Sequence, residues 1–220
     1  MIDLLVAEKD IDWARVEAFH LDEYVGLPES HPAGFRLWIR TRFAAKVALK
    51  AMHYLEGDAA DLAAVVRDYE RLLSSAPVDL AFVGIGENGH IAFNDPHVAD
   101  FNDRQLVKRV TLDDACRNQQ VGEGHFPAKA VVPTEAISVT CTGLFRAKKW
   151  ICCVPDSRKA NAIKGALEGP VSTVCPGSLV QRHPDAEVFL DASSAALLSP
   201  EFAMRTGTSV RRNSGRDRTG

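Results

Sequence analysis

His90 is the side chain around which chemistry can be built. It sits in Gly84-Ile85-Gly86-Glu87-Asn88-Gly89-His90-Ile91-Ala92-Phe93-Asn94-Asp95-Pro96, flanked by the polar side chains of Asn88 and Asp95. An imidazole titrates near neutral pH, so it can both accept and return a proton. Glycine lacks a Cβ and tolerates positive φ, so this loop can turn sharply and bring its backbone close to a ligand. Gly86 and Gly89 are therefore candidate ligand contacts. Asp22, in Asp22-Glu23-Tyr24, offers a carboxylate that could serve as a general base if it reaches an acidic carbon. Lys159, in Asp156-Ser157-Arg158-Lys159-Ala160, stands at a helix start, where free amides attract anions. Arg117, in Cys116-Arg117-Asn118-Gln119, is a vaguer anion contact. By spacing alone each has a plainer reading: a turn with a satisfied histidine, a surface carboxylate, a solvated lysine or an exposed helix arginine.

The elements that must position these residues follow from hydrophobic pattern. A short apolar run predicts a buried strand over 78–83, immediately before the His90 loop. Alternation predicts a strand over 16–21, which places Asp22 at its carboxyl end and turns Glu23 to the opposite face. In open α/β sheets the carboxyl ends of strands form the ligand crevice, so Asp22 and His90 should face it together. Further strands are predicted over 136–141, 149–154, 171–174 and 187–190. Helices are predicted over 33–46, over 58–73 with Leu62, Val65, Val66, Tyr69 and Leu72 on one side, over 113–121 with Asp113 as its cap, and over 143–148. Another opens at Pro155 and Asp156, runs through Ala160, Ile163 and Leu167, and stops at Gly169. Residues 1–7 read as the end of a helix with no N-cap and no preceding strand. Strand–helix alternation predicts an α/β fold: one Rossmann-like domain over 1–198, with a largely parallel sheet flanked by helices.

Composition fits that class. Hydrophobic residues make up 46% and charged residues 25% of 220, the balance of a globular protein with a sizeable core. No apolar run is long enough to span a membrane, and Met1–Val6 lacks the basic start of a signal peptide, so no membrane partner is expected. The five cysteines are scattered, without a Cys-x-x-Cys pair, which predicts reduced core thiols in a cytoplasmic protein and argues against zinc. The net charge of −3 divides into +3 over residues 201–220 and −6 over the remainder. An acidic body argues against a nucleic-acid partner, and the basic stretch 199–220 reads as a solvated, disordered tail.

The His90 string resembles the signature of the glucosamine-6-phosphate deaminase family, in which Gly-His-Ile-(Ala/Gly)-Phe-Asn carries the ring-opening histidine. Phe19-His20-Leu21-Asp22-Glu23-Tyr24-Val25-Gly26-Leu27-Pro28, with His31-Pro32 downstream, resembles the family's second signature, where the first acid is the base. The resemblance covers roughly residues 1–198. It implies conversion of glucosamine 6-phosphate and water to fructose 6-phosphate and ammonia, with a small sugar phosphate as partner and no metal or organic cofactor needed. His90 would open the pyranose, Asp22 would move the carbon-2 proton to carbon 1, Asn88 and Asp95 would orient His90, and Lys159 would meet the phosphate. Asn88 stands where some family members have Asp, which leaves a galactosamine 6-phosphate enzyme open. The family also has a first strand and a Gly/Ser/Thr-rich phosphate turn. This chain begins after that unit, so an N-terminally truncated domain with weakened activity and stability is expected.

Two other readings compete. 6-Phosphogluconolactonase resembles this family in fold, but it should carry Asp-Glu-Arg where this chain has Asp22-Glu23-Tyr24. A non-catalytic sugar-phosphate sensor would not need both Asp22 and His90, and no helix-turn-helix segment is visible. The sequence is compatible with a homo-oligomer and does not specify one.

Overall fold

The computed structural model describes residues 1–205. Among them run eight strands: β1 (Glu17–Phe19), β2 (Asp22–Tyr24), β3 (Ala51–His53), β4 (Leu80–Val83), β5 (Val107–Thr111), β6 (Glu135–Val139), β7 (Lys149–Val154) and β8 (Ala186–Leu190). The α-helices are α1 (Ile2–Leu5), α2 (Phe35–Ile39), α3 (Leu62–Ser74), α4 (Asp114–Gly122), α5 (Cys141–Phe145), α6 (Ala160–Glu168) and α7 (Pro200–Arg205). The α/β class is as expected, with parallel strands flanked by helices. The expected basic tail lies mostly outside the described residues, and its first part, Pro200–Arg205, is helical.

Two parallel ladders carry the strand–helix units. β1 pairs with β3, and β4 pairs with β7, which pairs with β8. Val83 lies opposite Cys152, and Val154 opposite Leu190, so the chain leaves β4 and β7 from the same edge. The loop after β4 carries His90, and the segment after β7 carries Lys159. Their convergence is a consequence of parallel register.

A third, antiparallel sheet orders its strands β2–β6–β5. Asp22 begins β2 opposite Ser138, three residues beyond the end of β1. The sequence pattern did not separate these pieces. β5 reads Val-Lys-Arg-Val-Thr, and its two valines, Val107 and Val110, are the buried positions.

One core joins the parallel strands to α3, α5 and α6 through Leu55, Tyr69, Leu73, Val83, Val139, Leu144, Trp150, Val154 and Ile163. Trp150 is 1% exposed, donates its indole N–H to the Leu144 carbonyl at 2.9 Å and stacks on His183. Burial of such a side chain contributes about 3–5 kcal/mol, judged by what truncation costs. A second core, with Tyr24, Phe93, Val110 and Phe126, covers the antiparallel sheet.

Several predicted elements differ in detail. On α3 the buried residues are Tyr69 and Leu73, whereas Leu72 is exposed, because i and i+4 stack on one face. The predicted helix over 33–46 is regular only through Ile39 and widens into a π-helical turn over Arg40–Ala44. Its buried residue is Arg36, which pairs with Asp58, while Trp38 is exposed. The segment 171–174, predicted as a strand, is a turn closed by a bridge between Ser172 and Cys175. Its amides are satisfied locally, that of Cys175 by the Ser172 carbonyl and that of Ser172 by the Ser178 hydroxyl, and Pro176 follows.

Candidate active site

The loop after β4 is folded tightly upon itself. The Gly86 amide donates to the His90 carbonyl at 2.9 Å, and the Gly89 amide to the Gly86 carbonyl at 3.0 Å. A Cβ on Gly86 would fall on the imidazole ring, so glycine there is what lets the ring lie against the backbone. Gly89 has φ +85°, and a Cβ on it would lie 2.7 Å from Cys175 Sγ. Gly86 lines the cavity; Gly89 supports the loop from behind and does not line it.

Both site loops hold a non-glycine residue in the left-handed region, Ala92 at φ 47° and Asp156 at φ 90°, and no other described residue shares this feature. Such conformations persist where surrounding bonds over-determine them. For Ala92 those bonds are clear. The Phe93 amide donates to Ser138 Oγ at 3.0 Å, and Asn94 Nδ2 donates to the Ile91 and Val139 carbonyls at 2.8 and 2.9 Å.

His90 is buried and enclosed by a polar network. Its amide donates to Asn88 Oδ1 at 3.0 Å, and its Nδ1 lies 2.6 Å from the same oxygen and 3.1 Å from Asp95 Oδ1. Asn88 Nδ2 donates to Asp95 Oδ1 at 3.0 Å and to Asp113 Oδ2 at 3.2 Å. Two carboxylates on one side require the amide nitrogen there, which leaves the amide oxygen for His90. Nδ1 is therefore the protonated nitrogen in the neutral ring, and Nε2 is free to act. Asp95 also accepts the Asp113 amide, and His90 leads the causes that hold its carboxyl below the usual range against burial. The ligand atoms of His90, Asp95 and Cys116 lie within 4.8 Å of one another, as do those of Asp95, His97 and Asp113. These are metal-type donors, committed here largely to one another and to the network.

Asp22 lines the same cavity as His90. Burial, and then the charge of Glu23, push its carboxyl up to about 7. Glu23 is turned away, as strand alternation requires. Its carboxylate accepts the amides of Tyr24, Phe35 and Arg36 at 2.9, 3.2 and 2.6 Å and so closes the amino end of α2.

The opposite wall carries two cations, each paired with a carboxylate. Lys159 is 8% exposed and donates to Glu123 Oε1 at 2.9 Å. Arg158 grips Asp156 through Nε and Nη2 at 3.2 and 2.8 Å. Gln119, Gln120, Glu123 and His125, from the carboxyl end of α4, complete this side of a cavity of about 430 Å³. Arg117 does not line it. Contrary to the exposed-arginine reading, Arg117 is half-buried and donates to the Lys129 and Val132 carbonyls, fastening the 3₁₀ turn after α4. The sequence brought out Asp113 only as the cap of α4, a role it has through the Cys116 amide, and missed its bond to Asn88. It missed Gln119 and Glu123 as well, although their i, i+4 spacing puts them on one helix face.

Fold and site together define an α/β protein that holds a carboxylate and a tautomer-fixed histidine over the carboxyl ends of its parallel strands. A family model described as glucosamine-6-phosphate isomerases/6-phosphogluconolactonase matches residues 1–189. The chain belongs to that family. It is 37% identical over 193 residues to a glucosamine-6-phosphate deaminase of Listeria welshimeri, covering 88% of this chain and 80% of the relative. It is 36% identical over 203 residues to one of Exiguobacterium sibiricum, covering 92% and 78%. Among solved structures it is similar to a monomeric glucosamine-6-phosphate deaminase, with TM-score 0.74 and 32% identity over 81% of this chain and 73% of that one. A 6-phosphogluconolactonase from Thermotoga maritima shares the fold, with TM-score 0.65 and 21% identity over 86% and 78%. No helix among the described residues is long and apolar enough to cross a membrane.

Proposed function

We propose that this protein converts glucosamine 6-phosphate and water to fructose 6-phosphate and ammonia. The observation that carries the reading is the pairing, across one cavity, of Asp22 with a carboxyl near pH 7 and His90 with a free Nε2. Nε2 of the neutral ring accepts the anomeric hydroxyl proton and returns it to the ring oxygen as the pyranose opens. The unmasked aldehyde and the ammonium on carbon 2 acidify the carbon-2 proton. Asp22 takes that proton, and delivering it to carbon 1 of the enolamine gives an imine that water hydrolyses. A base with a pKa near the working pH suits this two-way transfer, because it must be a comparable donor and acceptor. Asn88 and Asp95 fix the histidine, and Lys159 meets the phosphate, with Gly86 admitting the sugar close to the backbone. A cavity of about 430 Å³ lies within the range of small-molecule sites.

The same reading places the protein in the cytoplasm, where its five unpaired thiols would stay reduced. Ammonia release and lactone hydrolysis, measured side by side on glucosamine 6-phosphate, galactosamine 6-phosphate and 6-phosphogluconolactone, test it. Ammonia from an amino sugar phosphate is expected. Lactone hydrolysis without ammonia would overturn the assignment.

A further inference from the structure

Lys159 has a partner that the proposed reaction does not use. Its Nζ donates to Glu123 Oε1 at 2.9 Å, and the two side chains are 10% and 21% exposed. Glu123 Oε1 also accepts Gln119 Nε2 at 3.0 Å, and Gln119 Oε1 accepts the Glu87 amide at 2.8 Å. The carboxylate is thus held in place from the His90 loop through one buried amide.

Its location is not chosen for helix stability. Glu123 is the C-cap of α4, where the unpaired carbonyls of the last turn disfavour negative charge. What the carboxylate gains there is Lys159 and Gln119 on Oε1, with His125 Nδ1 3.8 Å from Oε2. All four residues line the cavity. A carboxylate and a phosphate oxygen present the same kind of acceptor to an ammonium, at the same distance. A phosphate brought to Lys159 meets Glu123 as a like charge and as a rival for the same cation.

We propose that Glu123 is an internal competitor for Lys159 that sets the affinity of this pocket for the phosphate of its ligand. A dianionic phosphate overcomes the single negative charge of Glu123, and its bond to Lys159 forms at the expense of the existing pair. Removing the Glu123 charge removes the rival and the repulsion together. This rests on the sugar-phosphate reading of the cavity and adds the group that limits how tightly that phosphate is held.

The test is a calorimetric titration of inorganic phosphate into the full chain at pH 7.5, for the parent, Glu123→Gln and Glu123→Ala, with thermal melts alongside. Both variants should lower Kd by about fivefold or more. Adding Lys159→Met to either should return Kd to the parent value or weaker. Either single variant decides the matter if the other does not fold. A Kd unchanged or raised in the folded variants, tightening that survives Lys159→Met, or no phosphate binding in any of the proteins would overturn the proposal. Tightening without ammonia release from any amino sugar phosphate would overturn the assigned reaction and leave Glu123 in this role.

Discussion

The side-chain oxygen of Asn88 lies 2.6 Å from Nδ1 of His90, nearer than the Asp95 carboxylate at 3.1 Å. The histidine is thus held first by a neutral acceptor, and the two neighbouring carboxylates are spent on the amide's own N–H groups. Asn88→Asp would remove those donors and set three carboxylates side by side. Like charges raise one another's pKa, so the native state would bind a proton more readily than the unfolded chain. Stability from that proton is present at low pH and lost as pH rises through the raised value. Thermal melts should show the variant destabilised by roughly 1–3 kcal/mol at pH 8, with the difference shrinking toward pH 5. A deficit that grows on acidification would contradict this network.

Asp22→Asn should slow carbon-2 proton exchange by on the order of 10²–10⁴ while sugar-phosphate binding persists, since the amide keeps the shape and loses the basicity. Exchange at the parent rate, followed by NMR in deuterated solvent, would exclude Asp22 as the base.

The same substitution has a stability signature. Asp22 rises from 3.8 to about 7 in the fold, so the native protein holds this proton more tightly than the unfolded chain does. The associated stability is complete below about pH 4 and gone above about pH 7. Asp22→Asn does not titrate, so it should gain on the parent across that window, by roughly 1–4 kcal/mol at its upper end. Melting temperatures of the two proteins at pH 5 and pH 8 measure the gain.

Glu23 is the second cause of the raised Asp22 carboxyl, after burial. Glu23→Gln should therefore shift the acid limb of the pH–rate profile downward by part of the total displacement. An acid limb that stays in place would mean that Glu23 serves only to close α2.

His90→Gln should slow turnover of cyclic glucosamine 6-phosphate far more than that of an acyclic analogue, because ring opening is the step assigned to Nε2. Equal slowing of both would move His90 to another step.

What the sequence made legible divides along physical lines. β7 was found with its limits intact, because every second residue of Lys149–Val154 is buried and Pro155 bounds it. The cap at Asp113 and the stop at Gly169 were readable as local chemistry. Of the antiparallel sheet only β6 was, as the strand predicted over 136–141; β2 is only three residues long, and its stability comes from pairing with a strand more than a hundred residues away. In the site, Asp22 and His90 were legible through dense motifs. Glu123 and Gln119 look like ordinary polar residues of a helix surface, and only the packing of α4 against the His90 loop and the start of α6 makes them neighbours of Lys159.

Ser138 sits opposite Asp22 in the ladder and accepts the Phe93 amide from the His90 loop. This buried residue acts as a gauge block between the Asp22 carboxyl and the His90 imidazole. The spacing is doubly pinned, because the Asn94 side chain grips the carbonyl of Val139 one residue along the same strand, so a shift of β6 would carry both walls of the cavity with it.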